Sequence, residues 1–470
     1  MTQTNLKITR RQALYGLGGV SALALLPACK QLGLDATDGG EFAALEPDAA
    51  LEQIGYDMLA HEPARATSLG VDTGDYAAWR GTFGTPGPEG RAQYASTLER
   101  LRDGARSYPK DGLTADQLTS FEVVESAFSK ALEGFALPYG DVAVGSWRNA
   151  PYVVIQNVGA YIDMPRFMGS SQPLSTAEDV DYYLSRLNEI PAVLDGENER
   201  MQQARGMGVV PPDFLLDKAI AQMESTIASA KAGDLYTNDF TTNLEKAGLP
   251  SDTSAEVDTI VGGPIAAALE RQLEELKTQR AEADSDPGIW SQPQGEEYYS
   301  WATSASTTTN MTPDEIHEQG LEELAELQGQ MDPILKEIGF TTGSVGERMQ
   351  ALSQDSRYKF AEGDPGREEI FAFIDERIEW IKAQMPRAFN ELVDPNMEVR
   401  RIPINEEPGA PGAYGGAGSK DGSIPGRFWI NLRTTDLHRK YDLADLTYHE
   451  AIPGHVWEGE YSNRLPLIRS

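Results

Sequence analysis

Cysteine, histidine and positive charge are all scarce in this chain. Its 470 residues include one cysteine, Cys29, and five histidines. A single cysteine excludes an intramolecular disulfide and any zinc site built from several thiolates. Asp and Glu outnumber Lys and Arg by 73 to 40, which gives a net charge of −33. Because so acidic a surface repels phosphate, we expect no nucleic-acid partner.

The N-terminal apolar run is too short to remain in a bilayer as a spanning helix. It covers residues 13–26, whereas a spanning helix needs roughly 20 apolar residues. The run follows Arg10 and Arg11, a pattern typical of a twin-arginine export signal. The four residues that end at Cys29, Leu-Pro-Ala-Cys, resemble a bacterial lipobox. We therefore predict that residues 1–28 are a twin-arginine lipoprotein signal peptide.

Lipidation of Cys29 would anchor the protein to a membrane of the cell envelope, facing the periplasm after export. An acidic protein gains nothing from anionic lipid, so the acyl chains must supply the attachment. Residues 29–48 lack hydrophobic periodicity and are predicted to be a lipidated tether. Residues 49–470 are then the folded domain.

Hydrophobic periodicity over this domain predicts a mostly α-helical body. Capping-box pairs, in which a side chain and the backbone satisfy each other's unpaired groups, indicate several helix starts. These pairs are Thr114 with Gln117, Ser175 with Glu178, and Thr312 with Glu315. Apolar residues recur every three or four positions over 364–392, which predicts one helix with a buried stripe and a kink at Pro386. A similar buried stripe is predicted for the helix over 312–338.

One region departs from the helical pattern. Residues 397–402 and 427–432 alternate as strands do, which predicts a short β-hairpin or small sheet. The connecting segment, 403–426, contains seven glycines and four prolines. Because it leads through a strand into the motif described next, we favour an active-site loop over disorder.

The segment after these strands, His449-Glu450-Ala-Ile-Pro453-Gly454-His455, combines possible metal ligands with a possible base. A metal-dependent hydrolase needs neutral imidazoles as ligands and a separate carboxylate that takes a proton from water. On a regular helix, six residues of spacing would leave the two imidazoles roughly 120° apart. Pro453 and Gly454 should break the helix and could bring His455 back towards His449. The alternative is that the segment only ends a helix and its histidines are ordinary surface or core residues.

The heptapeptide resembles the His-Glu-Ala-x-Pro-Gly-His motif of the bacterial domain-of-unknown-function 885 family, which includes many lipoproteins. The segments PARATSLG at 63–70 and MTPDEIHEQGLEEL at 311–324 also resemble the family. The resemblance implies a large multi-helix body similar to the oligopeptidases, and the activity of a zinc metallopeptidase.

For particular residues, the resemblance implies Zn²⁺ ligation by His449 and His455, with Glu450 as general base. Tyr414, the only tyrosine in the glycine-rich loop, would stabilise the oxyanion. The strand over 427–432 could bind an extended peptide by edge pairing.

The third zinc ligand in the family is expected on a helix beyond the position of Ser470, so we expect that the domain is truncated at its C-terminus. Glu458 or Glu460 could substitute as the third ligand. The sequence therefore predicts a lipid-anchored zinc peptidase that acts on peptides in the cell envelope. The alternative is a non-catalytic peptide-binding envelope lipoprotein with an incomplete metal site. Of the other histidines, His438 is expected in a surface loop, although it could also support the site, and His317 is expected to be packed or near a helix cap.

Overall fold

The structure is a computed structural model that describes residues 39–144, 149–402, 404, 407, 410–465 and 467–469. Helices form most of this part of the chain, and the strands make one small sheet, so the predicted mostly α-helical fold is confirmed. The predicted signal peptide and the tether up to residue 38 lie outside the described residues. Within them, no helix combines the length and apolar character that a membrane-spanning segment needs.

The α-helices fall into an N-terminal body, α1–α11, and a C-terminal part, α12–α16, that carries the sheet. The helices of the body are α1 (Pro47–Leu59), α2 (Pro63–Leu69), α3 (Gly87–Ser107), α4 (Ala115–Phe135), α5 (Ala160–Ser170), α6 (Ala177–Gly206), α7 (Asp213–Ala232), α8 (Thr237–Ala247), α9 (Ser254–Ile260), α10 (Ala266–Glu282) and α11 (Gly295–Thr307). Those of the C-terminal part are α12 (Pro313–Glu337), α13 (Val345–Ser353), α14 (Gly363–Gln384), α15 (Lys440–Glu450) and α16 (His455–Ser462).

The two larger buried apolar clusters of the N-terminal body hold most of its helices together, and a smaller one packs α11 against the segment after α4. Of the two larger clusters, one lies among α1, α3 and α4, and the other among α5 to α10. A further cluster joins α14, α15, α16 and the sheet. The predicted metal motif is therefore packed in a hydrophobic cluster separate from those of the N-terminal body.

The folded part of the chain begins before the predicted boundary at residue 48. Residues Gly39–Ala44 form a 3₁₀ helix, and the Phe42 side chain is 0% exposed in the cluster with Leu98 and Phe121. The prediction of a tether through residue 48 is therefore wrong at its C-terminal end. A single phenylalanine carries enough apolar area to hold this turn on the body.

The capping boxes at Thr114 and Thr312 are confirmed. The box predicted at Ser175 is wrong by one residue, because Thr176 is the cap and Asp179 is its partner. Asp179 is 4% exposed and also accepts a hydrogen bond from Arg80 at 3.1 Å. This ion pair, which sequence spacing does not reveal, favours Thr176 with Asp179 over Ser175 with Glu178 as the capping pair.

Helix α14 ends before the predicted kink at Pro386. Its stripe is buried as expected at Ile370, Ile374 and Ile378, but the helix stops at Gln384 and a 3₁₀ turn, Met385–Arg387, follows. Proline lacks the N–H group that would continue the helix and its ring crowds the preceding turn. The helix is therefore terminated at this point and not kinked.

Helix α12 has the predicted length, but its apolar stripe is not buried. Leu335 is buried, whereas Leu321, Leu324 and Leu327 are 51–54% exposed. Within the described residues, the helix packs chiefly against α13. The amphipathic pattern thus predicted the helix correctly, and the prediction that its stripe is buried was wrong.

The sheet contains β1 (Met397–Arg401), β2 (Ala413–Gly416) and β3 (Gly426–Ile430) in the order β1-β3-β2. Strand β3 pairs parallel with β1 and antiparallel with β2. The predicted small sheet is confirmed, and β2 is an additional strand within the glycine-rich loop. Because both edges of β3 are occupied, the prediction that this strand binds a peptide by edge pairing is wrong.

Replacing Phe42 by alanine tests whether the segment before α1 belongs to the folded body. Removing a fully buried phenylalanine should lower the free energy of unfolding by about 3–5 kcal/mol. Leu45→Ala is the matched control, because Leu45 is 39% exposed and should cost well under half as much. Urea unfolding followed by circular dichroism measures both, and equal small losses would place Phe42 outside the core.

Candidate metal centre

The two histidines of the motif lie on either side of a break between α15 and α16. Helix α15 carries His449 in its last turn and ends at Glu450, and α16 begins with His455. Between them, the N–H of Trp457 donates to the carbonyl of Ala451 at 3.0 Å, which closes a loop wider than a helical turn. The predicted break at Pro453 and Gly454 is therefore present.

Close backbone contact at Gly454 makes this fold-back possible. A Cβ atom at position 454 would lie 1.7 Å from the carbonyl oxygen of His449 and 2.5 Å from that of Tyr448. No side chain larger than hydrogen fits at that distance. The glycine is therefore required by the packing of the backbone against the end of α15.

The fold-back brings three possible ligands together. The His449 and His455 ring centroids are 4.8 Å apart and their planes are nearly perpendicular, at 85°. One ligand atom from each of His449, Glu450 and His455 lies within 4.8 Å of the other two. We call these three residues the His-Glu-His cluster.

Both histidines of the cluster are exposed, whereas Glu450 is buried at 5% exposure. Its Oε2 atom is buried and has no hydrogen-bond partner among the residues that the structure describes. Strand β2 covers this side, since a Cβ on Gly415 would lie 2.9 Å from Glu450 Oε2 and 2.5 Å from its carbonyl oxygen. A buried carboxylate oxygen without a partner is costly, which makes it a candidate to bind a proton, a water molecule or a cation.

A cavity of about 450 Å³ opens beside the cluster and is lined by His449 and Glu450. Asp442 and Asp445, on the same helix, also line it. Sequence reasoning missed these two carboxylates, although the spacing of Asp445 and His449 at i and i+4 places them on one helical face. They add negative charge to the wall of the cavity.

The side chain of His438 forms part of the wall of the same cavity. The prediction that it lies in a surface loop was wrong, because the side chain is 2% exposed and lines the cavity. Its Nε2 lies 2.8 Å from the carbonyl oxygen of Asn431, so this nitrogen carries the proton and donates it. Burial lowers the pKa of His438, which favours the neutral ring.

Glu458 and Glu460, the substitute third ligands, lie on α16 outside the cluster. Glu458 is exposed, and its Oε1 accepts a hydrogen bond from the Ser462 hydroxyl at 2.9 Å. The structure does not bring either carboxylate to the two histidines. Their roles as ligands remain predictions.

Tyr414 lies on β2, next to the residue that covers Glu450. Because successive residues of a strand face opposite sides, Tyr414 points away from the side on which Gly415 meets Glu450. The tyrosine ring stacks on Trp429, with centroids 6.2 Å apart, and is 38% exposed. The structure does not place Tyr414 with the His-Glu-His cluster, and its role in catalysis remains a prediction.

The cluster fits a zinc ion in its chemistry and nearly in its dimensions. Zinc is commonly held by imidazole nitrogens and a carboxylate. Two atoms bonded to one tetrahedral zinc ion at about 2.0–2.1 Å lie roughly 3.3 Å apart. The spacing of up to 4.8 Å in the cluster is larger, but small rotations of two exposed histidine side chains would close the difference.

The fold and the cluster define a mostly helical protein with a candidate metal centre at a helix break. The chain belongs to the family described as bacterial protein of unknown function (DUF885), whose sequence profile matches residues 63–470. No curated protein matches the chain.

The solved structures similar to this protein include those of two proposed lipoproteins. A proposed lipoprotein from Colwellia psychrerythraea has 27% sequence identity and a TM-score of 0.78, and the match covers 88% of this chain and 72% of that chain. A proposed lipoprotein of unknown function from Shewanella oneidensis has 17% identity and a TM-score of 0.57, with 93% and 74% covered. Because the Shewanella oneidensis protein is only 17% identical, its similarity shows that the two proteins share a fold and nothing more.

Replacing Gly454 by alanine tests the fold-back at the motif. The new methyl group would overlap the His449 carbonyl oxygen, so the backbone must shift, at a cost of about 1–3 kcal/mol in unfolding free energy. Gly416→Ala is the matched control, because a Cβ at position 416 meets nothing within 4 Å. Urea denaturation of both variants measures the difference, and an unperturbed Gly454→Ala protein would contradict the close contact.

Proposed function

We propose that this protein is a zinc-dependent peptidase that acts on peptides in the cell envelope. The observation that carries the proposal is the convergence of His449, Glu450 and His455 across the helix break. The alternative is that the motif only ends a helix and its histidines have no ligand. That alternative would not require a backbone contact that only glycine tolerates. The motif's resemblance to zinc peptidases supplies the reaction class.

His449 and His455 would hold the ion, and Glu450 is the candidate general base. With Glu450 in that role, a third protein ligand would have to come from outside the His-Glu-His cluster, and Glu458 is the predicted substitute. A bound zinc ion would polarise the substrate carbonyl and lower the pKa of the attacking water. The Glu450 carboxylate would accept the proton of that water and pass it to the leaving amine. No described residue donates a hydrogen bond to Oε2, which β2 covers, so the carboxylate is not engaged by another group on that side.

The surroundings of Glu450 also favour this role. Strand β2 shields the carboxylate on one side, and the cavity of about 450 Å³ gives it access to a substrate on the other. That volume suits a few residues of a peptide. Buried His438, which donates to the backbone at Asn431, would hold the wall of the cavity in place.

The proposed location is the membrane surface, through lipid on Cys29. The Colwellia psychrerythraea relative is described as a proposed lipoprotein, which supports the interpretation of Leu-Pro-Ala-Cys as a lipobox. Export by the twin-arginine route, which the paired arginines indicate, would deliver the peptidase already folded.

Metal analysis tests the ligands. The purified protein should bind about one zinc ion per chain, and both His449→Ala and His455→Ala should lose it, because a catalytic zinc ion is normally held by three protein ligands and each variant removes one of them. His317→Ala is the matched control, since His317 is exposed on α12 and outside the cluster. Mass spectrometry of the dialysed proteins gives the metal content.

The same measurement on Glu458→Gln tests the substitute ligand. Loss of zinc in this variant would support Glu458 as a ligand, and full retention would exclude it. If the unchanged protein binds no zinc at all and still binds peptides after Glu450→Gln, it is the non-catalytic binding lipoprotein and not a peptidase.

Replacing Glu450 by glutamine tests the general base. Peptide hydrolysis should fall about 10²- to 10⁴-fold while zinc content is retained, because the amide cannot accept the proton. Glu318→Gln, a neutralisation of an exposed glutamate on α12, should leave the rate unchanged. The readout is cleavage of a quenched fluorescent peptide library, and an unchanged rate in Glu450→Gln would remove Glu450 from catalysis.

A further inference from the structure

A second cavity, of about 230 Å³, lies in the N-terminal body and shares no lining residue with the cavity at His449. Helices α3 and α6 contribute one arginine each, Arg91 and Arg200. The segment after α4 contributes Tyr139 and Gly140. Two arginines in one cavity are unexpected in a protein whose net charge is −33.

The two guanidinium groups share one acceptor. Arg91 Nη1 and Arg200 Nη2 both donate to the carbonyl oxygen of Gly140, at 2.7 and 3.1 Å. Arg200 also pairs with Asp141, whereas Arg91 has no ion-pair partner among the described residues. Arg91 lies against the face of the Phe135 ring, 4.7 Å from its centroid, and this contact offers no counter-charge. The two arginines and Asp141 together carry one excess positive charge.

Two side chains that line this cavity have hydrogen-bond donors without acceptors. Arg91 Nη2 is buried and has no hydrogen-bond partner within the described ranges, and the same holds for the buried hydroxyl of Tyr139. Burial raises the pKa of Tyr139, so the hydroxyl keeps its proton at neutral pH. Buried donors are normally satisfied, and an unsatisfied pair beside one cavity indicates a missing acceptor.

Two further carboxyl groups act near the cavity without lining it, Glu197 beside Arg200 and Glu297 beside Tyr139. Glu197 lies near Arg200, but burial raises the pKa of Glu197 to about 7, so this carboxyl is partly protonated there. Burial lowers the pKa of Arg91, and the nearby positive charge of Arg200 lowers it further. An anion between the two guanidinium groups would relieve that repulsion.

The remaining walls of the cavity are largely apolar and come from Ala92, Ala95, Phe135, Val153 and Met207. A phosphate, which presents several oxygens and up to two charges, would leave acceptors unpaired against these walls. A monocarboxylate with an apolar tail matches the single excess charge, the two free donors and the apolar lining.

We propose that this cavity is a binding site for a small monocarboxylate with an apolar tail, whose carboxylate accepts hydrogen bonds from Arg91 and Tyr139 beside the positive charge of Arg200. The site is independent of the proposed peptidase chemistry, because it is built entirely from the N-terminal body. Two sources present this chemistry, a short fatty acid and the C-terminus of a peptide with an apolar last residue.

Isothermal titration calorimetry with matched acids and amides tests the site. Hexanoate and N-acetylleucine represent the two sources, and hexanamide and N-acetylleucinamide are their neutral counterparts. At least one acid should bind with a Kd at least about tenfold lower than its amide, because charge-assisted hydrogen bonds to a guanidinium group are lost in the amide. Binding of hexanoate alone indicates a fatty acid, and binding of N-acetylleucine alone indicates a peptide C-terminus.

Variants locate the binding in this cavity. Arg91→Gln should weaken binding of the acid at least about tenfold, whereas Arg106→Gln, an exposed arginine of the same helix, should not. Ala95→Leu keeps both arginines, fills part of the cavity and should also weaken binding, which covers the case that Arg91→Gln fails to fold. Equal binding of acid and amide, no binding of either acid at millimolar concentration, or wild-type affinity in Ala95→Leu would each overturn the proposal.

Discussion

The candidate site depends on one backbone contact, in which Gly454 lies directly against the carbonyl of His449. A regular helix would hold the imidazoles of His449 and His455 apart around its axis. Pro453 cannot continue the hydrogen bonding of α15, and Gly454 has no side chain to keep the following segment at a distance. The chain therefore folds back at once, and α16 starts with its first imidazole 4.8 Å from the last imidazole of α15. The same contact places His455 beside Glu450, the last residue of α15.

The packing around the break holds it in place. Ala451 and Ile452, within the break, are buried with Trp457 in the cluster that α14 and the sheet complete. The indole N–H of Trp457 donates to the carbonyl of Val393 at 3.2 Å, which ties α16 to the segment before β1. On the opposite side, Gly415 lets β2 approach Glu450 closely. Gly454 and Gly415 thus allow backbone segments to pack closely at the break, and the buried apolar side chains stabilise that arrangement. The residues of this cluster are buried, while the two histidines remain exposed.

Charge is distributed unevenly over this acidic protein. Asp442 and Asp445 line the cavity at the His-Glu-His cluster and favour a cation there. The cavity in the N-terminal body instead carries Arg91 and Arg200. The charges of the lining residues therefore suit a cation in one cavity and an anion in the other. Each cavity also has a lining residue with a buried polar atom that has no hydrogen-bond partner in the described part of the chain, Glu450 Oε2 in one and Arg91 Nη2 in the other.

The sequence by itself determined the mostly helical fold, the small sheet, the caps at Thr114 and Thr312, and the break at Pro453, because each follows from local periodicity or from the covalent limits of proline and glycine. Only the tertiary structure decided what each surface meets. It moved one cap to Thr176 through the ion pair of Asp179 with Arg80, left the apolar face of α12 exposed, buried His438, and turned Tyr414 away from Glu450. These outcomes depend on contacts between residues far apart in the chain, and local patterns carry no information about such contacts.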